Sequence, residues 1–238
     1  MSEPDRILEV ADLHVRYPDG THALEGISFA MPPAQRVGLI GPNGAGKTSL
    51  MLAVMRGLSF TGKIVVDGIA SSRAKADELR SRCGLLFQDA DDQLFMPTLL
   101  DDAAFGPLNQ RLSPSEALAR AMQSIATVGL AGLEMRPAHH LSGGQKRCAA
   151  LATILAMRVK LLLMDEPGAN LDFRSRKRLL ELLQARPEAL LLATHDLDMV
   201  SQLCSRVIVL DSGKIVADGP ADQILANRDL LAAHRLSD

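Results

Sequence analysis

Residues 41–48 read GPNGAGKT, which fits the pattern G-x-x-x-x-G-K-[ST], and they directly follow the short apolar run 37–40. The glycines let the backbone curl so that successive N–H groups point at one anion, and Lys47 adds a positive charge for phosphate oxygens. A loop of this kind connects a strand to a helix, so it predicts both the local fold and the binding of ATP or GTP. The candidate nucleotide-binding residues are Gly41, Asn43, Gly44, Ala45, Gly46, Lys47, Thr48 and Ser49.

Three further apolar runs, at residues 84–87, 161–164 and 190–194, also lead into polar side chains. These polar residues are Gln88, the pair Asp165 and Glu166, and His195. Each run has the length and the near-continuous apolarity of a parallel strand that is buried on both faces. Because ligands of open α/β sheets bind beyond the carboxyl ends of the strands, we expect these side chains to gather at one edge with the phosphate loop.

The remaining segments predict two additions to this sheet. Residues 7–37 and 62–70 hold short alternating segments with turn signals, which favour an antiparallel β layer, and residues 207–217 read as a hairpin. Between residues 90 and 140 the sequence turns helical, with a cap at Ser113 and a first-turn proline at Pro114. We expect one apolar stripe there, formed by Leu118, Met122, Ile125 and Val128.

The predicted fold class is therefore α/β, with a P-loop NTPase (RecA-like) parallel-sheet core, an antiparallel β layer and an inserted α-helical subdomain. The whole chain, residues 1–238, is expected to form a single domain. In this domain, residues 1–89 and 141–238 would form the nucleotide-binding core, and residues 90–140 the helical subdomain.

The types of the polar residues at the strand ends suggest a different chemical role for each of them. Asp165 and the hydroxyl of Thr48 suit Mg²⁺, and Glu166 would polarise the attacking water. An isolated Asp-Glu pair is more often a solvated turn, but this pair follows an apolar strand in a chain with a phosphate loop. Gln88 could ligate Mg²⁺ and sense the nucleotide, and His195 could donate to the γ-phosphate. Judged by their residue types alone, both are equally compatible with structural roles.

Composition argues against nucleic acid, and cysteine spacing argues against a cysteine metal site. The formal net charge is −2 and aromatic residues make up 3%, so neither a basic face nor a set of base-stacking platforms is expected. The three cysteines are far apart and have no metal-ligand spacing. The longest apolar tract, residues 149–164, is interrupted by Arg158 and Lys160, so we expect no membrane-spanning helix. Residues 1–10 are acidic and lack the apolar stretch of a signal peptide, so we expect none.

A second motif that contains glycines indicates a protein family. Leu141 is followed by Ser142, Gly143, Gly144 and Gln145, about twenty residues before the strand that ends at Asp165. A serine and two glycines at a helix start form a second anion site. This pentapeptide resembles the signature motif of ABC ATPases at every position, and the resemblance covers about residues 7–225.

The resemblance implies a head-to-tail dimer that buries two ATP molecules, with Mg²⁺, between two ATPase subunits. Ser142 and Gly144 would then contact the γ-phosphate that the partner's phosphate loop holds. Tyr17 resembles the aromatic that stacks on adenine, and Asp172 belongs to a segment similar to the D-loop, which couples the two sites. The chain departs from the family at residues 168–170 and at Phe173, a position that is often proline, and these departures leave the geometry of the D-loop open.

A finer likeness follows Gln88. Residues 91–95 and 101–109, and more weakly 17–21, resemble ATPases of energy-coupling factor (ECF) importers, which take up vitamins or transition-metal ions, chiefly cobalt and nickel. The resemblance implies a transmembrane coupling protein, a separate substrate-binding membrane protein, and a peripheral position on the cytoplasmic side of the inner membrane. The second ATPase subunit would be the same chain or a paralogue. Residues 89–92 are interpreted as a solvated or partner-facing loop rather than a metal site.

Three other functions remain open at this point. The first is an ABC ATPase that acts on a ribosome or DNA. Such proteins usually carry tandem ATPase domains or a long coiled-coil insertion, and this sequence contains neither. A P-loop kinase would need an acceptor site and no signature motif. A nucleotide-gated assembly factor with little turnover would not need Glu166.

Overall fold

The computed structural model describes residues 5–236. Its strands are β1 (Leu8–Arg16), β2 (His22–Met31), β3 (Arg36–Ile40), β4 (Thr61–Val66), β5 (Ile69–Ala70), β6 (Cys83–Leu86), β7 (Leu161–Asp165), β8 (Ala189–Ala193), β9 (Arg206–Asp211) and β10 (Lys214–Pro220). Its helices are α1 (Lys47–Val54), α2 (Ala76–Arg80), α3 (Leu99–Asn109), α4 (Pro114–Thr127), α5 (Gly143–Ala156), α6 (Phe173–Gln184), α7 (Leu197–Leu203), α8 (Ala221–Ala226) and α9 (Arg228–Ala233).

Backbone contacts divide these elements into two compact units. The first contains residues 5–85, 160–166 and 187–236, and the second contains residues 86–159 and 167–186. The predicted helical subdomain, residues 90–140, lies within the second unit. That unit also holds α5 and α6, which we had placed in the nucleotide-binding core.

The first unit is built on a six-stranded sheet with the order β10-β9-β3-β8-β7-β6. β3 pairs in parallel with β8 and β9, and β7 pairs in parallel with β8. Every residue of β6, β7 and β8 is buried, as expected for apolar strands that are covered on both faces. The four strands that precede the polar residues are therefore neighbours in one sheet, which confirms the predicted α/β core.

A second, antiparallel sheet in the same unit has the order β2-β1-β4-β5. In β1 buried residues alternate with more exposed ones, because successive side chains of a strand point to opposite faces. Leu8 pairs with Met31 on one side and with Val66 on the other. The predicted β layer is thus confirmed, as is the hairpin of β9 and β10, in which Lys214 pairs with Asp211.

The second unit is helical, and α4 begins as predicted. Pro114 occupies its first turn, and the side chain of Ser113 accepts the N–H of Glu116. The predicted apolar stripe is only half right. Ile125 and Val128 are buried, but Leu118 is 43% exposed and Met122 is 54% exposed. The buried face is instead formed by small residues, Ala117, Ala121 and Ser124, because small side chains let neighbouring helices approach closely.

Candidate functional site

The phosphate loop leaves β3 and enters α1 in the first unit. Gly41 lies against β9, where an added Cβ would be 2.0 Å from the carbonyl oxygen of Leu210. Gly46 caps α1 with φ 105°, and an added Cβ there would be 2.6 Å from the carbonyl oxygen of Ala23. Both positions therefore require glycine.

The start of α1 is suited to an anion. No side chain caps it and its first turn contains no acidic residue. The first N–H bonded within the helix is that of Leu50, which donates to the carbonyl of Gly46 at 2.9 Å. The preceding N–H groups carry the positive end of the helix dipole, which favours a phosphate.

Lys47 lies at this helix start and is buried. Its Nζ donates to the carbonyl oxygens of Gly41 at 2.6 Å and Pro42 at 3.1 Å, so the ammonium group is held inside the loop. Burial lowers the pKa of Lys47, whereas the charges of Glu166 and Asp165 oppose that shift. The loop thus holds a positively charged group at the place where the phosphates of a nucleotide would bind.

Thr48 and Asp165 meet at the edge of the sheet. The hydroxyl of Thr48 donates to Oδ2 of Asp165 at 2.5 Å, although 117 residues separate them in the sequence. Asp165 is buried at the end of β7, the strand beside β8, which is one of the two central strands of the sheet. A hydroxyl and a carboxylate are hard oxygen ligands of the kind that Mg²⁺ prefers.

Glu166 follows Asp165 and contacts His195. Oε1 of Glu166 accepts the backbone N–H of His195 at 3.1 Å and lies 2.8 Å from its Nδ1. Oε2 accepts the hydroxyl of Thr194 at 2.8 Å. Glu166 has φ 46°, a left-handed backbone conformation that is uncommon outside glycine and that accumulates at functional sites. The imidazole of His195 is exposed, while the Glu166 carboxylate is buried.

Tyr17 extends this part of the site. Its hydroxyl lies 3.0 Å from Oγ of Ser49, one residue beyond Thr48. The hydrogen bond fixes the partly exposed ring beside the first turn of α1. The structure therefore brings Tyr17, the phosphate loop, Asp165, Glu166 and His195 together within the first unit.

The remaining predicted residues lie in the second unit. Ser142 and Gln145 form a capping box at the start of α5: Ser142 Oγ accepts the N–H of Gln145 at 3.3 Å, and Gln145 Oε1 accepts the N–H of Ser142 at 2.9 Å. Ser142 and Gly143 are exposed, and Gly144 is half-buried against Ser175. The start of α5 is therefore exposed at Ser142 and Gly143, and the Ser142 side chain already binds one of its N–H groups.

Asp172 caps α6 in this unit. Its carboxylate accepts the N–H of Ser175 at 2.9 Å and the hydroxyl of the same serine at 2.9 Å. These hydrogen bonds lower the pKa of Asp172. Phe173, at the position that is often proline in the family, is almost fully exposed. The D-loop segment therefore leads into a well-capped helix despite its unusual residues.

Gln88 is exposed, and its backbone is held by α5. Arg147 Nη1 donates to the carbonyl of Phe87 at 2.6 Å, and its Nη2 donates to the carbonyl of Gln88 at 2.5 Å. Lys146 binds both carboxylate oxygens of Asp91, at 2.6 and 2.9 Å. Sequence reasoning missed Arg147, which follows Lys146 and precedes the apolar run that begins at residue 149, a pattern that gives no local signal of its contacts.

Within residues 5–236, no cluster of three or more His, Cys, Asp or Glu side chains is arranged to hold a metal ion. Over the same range, no helix is both long and apolar enough to cross a membrane.

Known proteins resemble this chain in sequence and in structure. The family model described as "ABC transporter" matches residues 24–169. Relatives that are 44–46% identical carry the general description of an ABC transporter ATP-binding protein.

Three matches are more specific. The cobalt import ATP-binding protein CbiO of Rhodobacter capsulatus is 40% identical, with coverage of 95% of this chain and 83% of that protein. The energy-coupling factor transporter ATP-binding protein EcfA of Methanothermobacter thermautotrophicus is 39% identical, covering 94% and 74%. The solved structure of CbiO1 from Clostridium perfringens, described as part of the ABC transporter complex CbiONQ, superposes with a TM-score of 0.82 at 33% identity and covers 98% and 96%.

Proposed function

Because the chain belongs to the family of ABC transporter ATP-binding proteins, ATPases that couple hydrolysis to transport, we propose that it energises an ECF-type importer. The observation that carries the ATPase chemistry is the contact of Thr48 with Asp165 at 2.5 Å, with Glu166 as the next residue. The importer type is supported by the likeness to CbiO and EcfA.

In the proposed reaction the water oxygen bonds to the γ-phosphorus while the bond from that phosphorus to its bridging oxygen breaks. Glu166 orients the water and takes one of its protons, which passes on to solvent, and ADP and phosphate leave. Lys47 and the N–H groups at the start of α1 bind the phosphates, Tyr17 stacks on the adenine, and His195 contacts the γ-phosphate.

Mg²⁺ fits the residues present. Thr48 and Asp165 already place a hydroxyl and a buried carboxylate side by side. These residues would hold the ion, which neutralises charge on the phosphates.

The signature motif completes the site from a second subunit. Ser142, Gly143, Gly144 and Gln145 begin a helix whose first turn is exposed, so in a head-to-tail dimer it can face the γ-phosphate held by the partner. Asp172 lies in the D-loop, which couples the two sites. The partner is a second ATPase subunit, either the same chain or a paralogue.

The stretch after Gln88 supplies the contact with the membrane protein. Phe95 is 64% exposed and Phe105 is 43% exposed, and the two rings pack edge to face with centroids 5.1 Å apart. Asp102 fixes the Phe95 segment by accepting the N–H groups of Phe95 and Met96, each at 3.0 Å. A rigid, exposed aromatic pair is typical of a protein-binding surface.

The other components follow from the importer type. A transmembrane coupling protein would contact this aromatic pair, a separate membrane protein would select the substrate, and the chain would bind at the cytoplasmic face of the inner membrane. The substrate would be a transition-metal ion such as cobalt or nickel, or a vitamin. No nucleic acid partner is proposed, since the net charge is −2.

A first experiment tests the enzyme. Purified protein should release phosphate from ATP. The release should stop when EDTA removes divalent cations, and it should fall to a low residual rate when Glu166 is replaced by Gln. Glu166→Gln should still bind ATP. Normal turnover by this variant would exclude the assigned role of Glu166.

A second experiment tests the importer. Tagged Glu166→Gln is purified from detergent-solubilised membranes with ATP, and its partners are identified by mass spectrometry. We expect a transmembrane coupling protein and a small membrane protein, and their loss when Phe95 and Phe105 are both changed to Asp. Met135→Asp is the matched control, because Met135 is an exposed apolar residue of the same unit outside this stretch. Recovery of ribosomal or DNA-bound proteins alone would refute the importer.

A further inference from the structure

Thr194 lies beside Glu166 because of the register of two strands. Parallel β7 and β8 pair Asp165 with Ala193, so the residues that follow them, Glu166 and Thr194, are neighbours at the edge of the sheet. The N–H of Glu166 donates to the carbonyl of Ala193 at 2.8 Å, which continues the ladder by one step. Both side chains are buried. The hydroxyl therefore meets the carboxylate in a place where water competes poorly for hydrogen bonds.

The hydroxyl of Thr194 is oriented toward the carboxylate. Its oxygen accepts the N–H of Asp196 at 3.1 Å, and it donates to Oε2 of Glu166 at 2.8 Å. A hydroxyl has a single proton, so the bond from Asp196 leaves that proton for Glu166. Asp196 is itself fixed as the N-cap of α7, where it accepts the N–H of Met199 at 2.9 Å. The start of α7 thus sets the direction of the Thr194 hydroxyl.

The two carboxylate oxygens of Glu166 are held by different residues. His195 contacts Oε1 through its N–H and its Nδ1, and Thr194 donates to Oε2. Rotation about the last bond of a glutamate side chain is soft, so a contact at one oxygen leaves the plane of the carboxylate poorly defined. A second contact at the other oxygen defines that plane.

We propose that Thr194 is a positioning residue for ATP hydrolysis, which holds the Glu166 carboxylate in the orientation that receives the attacking water. The proposal rests on the proposed role of Glu166. Thr194 exchanges no proton and touches no substrate; it acts only through Glu166. Its removal should therefore slow turnover and leave nucleotide binding nearly unchanged.

The test compares Thr194→Val, which keeps the shape and loses the hydroxyl, with Thr194→Ser, which keeps the hydroxyl. For Thr194→Val we expect kcat for ATP to fall about 10-fold, with KM within about 2-fold of wild type. Thr194→Ser should restore most of the lost turnover. Thr194→Ala is a second variant that lacks the hydroxyl. It should show the same loss of kcat as Thr194→Val, which would exclude poor packing of the valine as the cause.

A double variant separates positioning from a general structural role. In the Glu166→Gln background, Thr194→Val should change the residual kcat by less than about 2-fold, because the carboxylate it positions is absent. The inference is overturned if Thr194→Val and Thr194→Ala both keep wild-type kcat, if Thr194→Ser is as slow as Thr194→Val, or if the hydroxyl's loss slows Glu166→Gln by the same factor. Failure of the proposed function looks different: wild type would release no phosphate, or Glu166→Gln alone would turn over normally.

Discussion

Two adjacent cations of α5 bind the same segment in opposite environments. Arg147 is 5% exposed and donates to the carbonyls of Phe87 and Gln88. The Lys146 side chain is 23% exposed and pairs with Asp91, whose side chain is 61% exposed. Changing each cation to methionine keeps a long side chain and removes the charge. The two variants therefore compare a buried and a surface contact of one helix with one loop.

The expected costs differ because an unpaired buried carbonyl cannot be rescued by water. Arg147→Met leaves these two carbonyls without their guanidinium donors, at about 1–3 kcal/mol for each, and we expect the lower half of that range because both hydrogen bonds are only partly buried. We therefore expect a loss of about 2–4 kcal/mol from a total stability of about 5–15 kcal/mol. Lys146→Met removes a surface ion pair, which contributes about 0.2–1 kcal/mol.

Thermal unfolding measures both changes. For a chain of this size, 1 kcal/mol shifts the melting temperature by about 2–4 °C, so Arg147→Met should melt about 4–16 °C lower and Lys146→Met less than about 4 °C lower. Arg147→Lys is a control that keeps one charged donor and should fall between the two. The reasoning is refuted if Arg147→Met melts within about 2 °C of wild type, or if both methionine variants lose the same amount.

Four further changes probe the site and the fold. Lys47→Ala should abolish tight ATP binding in an equilibrium titration, because it removes the cation held inside the loop; affinity within about 3-fold of wild type would contradict this. Glu166→Gln should accumulate as an ATP-bound dimer in size-exclusion chromatography, and a monomer that binds ATP would argue against the trapped dimer. Gly46→Ala should cost about 2 kcal/mol or more in urea unfolding, since φ is 105° and the new Cβ would clash with the carbonyl of Ala23; unchanged stability would refute the packing argument. Burial raises the pKa of Asp102, so this carboxyl contributes stability below its unfolded pKa that is lost as pH rises through its folded pKa. The melting temperature of Asp102→Asn relative to wild type should therefore rise as the pH increases above the ordinary pKa range of an aspartate, and a constant difference would show that Asp102 does not titrate in this way.

Local sequence patterns predicted the loop and the strands around the candidate site well. Glycine spacing and Lys47 identified the phosphate loop, and apolar runs identified the strands that end at Asp165 and His195. These features follow from backbone geometry within a few residues, so they can be read without knowing the rest of the fold. The family resemblance rests on the same kind of short pattern, and the family is confirmed.

The helical region was harder to predict. Leu118 and Met122 fit an apolar stripe by periodicity, yet they are exposed, while Ala117 and Ala121 are buried. Periodicity identifies an amphipathic helix, but the face that packs depends on which neighbouring helices approach and how closely. The size of the side chains at the helix contact decided which face of α4 is buried, and this contact exists only in the packed unit.

The phosphate loop, the order of strands and helices, and the residue types available for chemistry all follow from short stretches of the chain. Which side chains touch depends on packing: the register of β7 and β8 places Thr194 against Glu166, and the folding of α5 onto the loop places Arg147 against the carbonyls of Phe87 and Gln88. Such contacts join residues 28 and 60 positions apart. They depend on non-local pairing and packing, whose free energy is shared among many residues and leaves no short pattern in the chain.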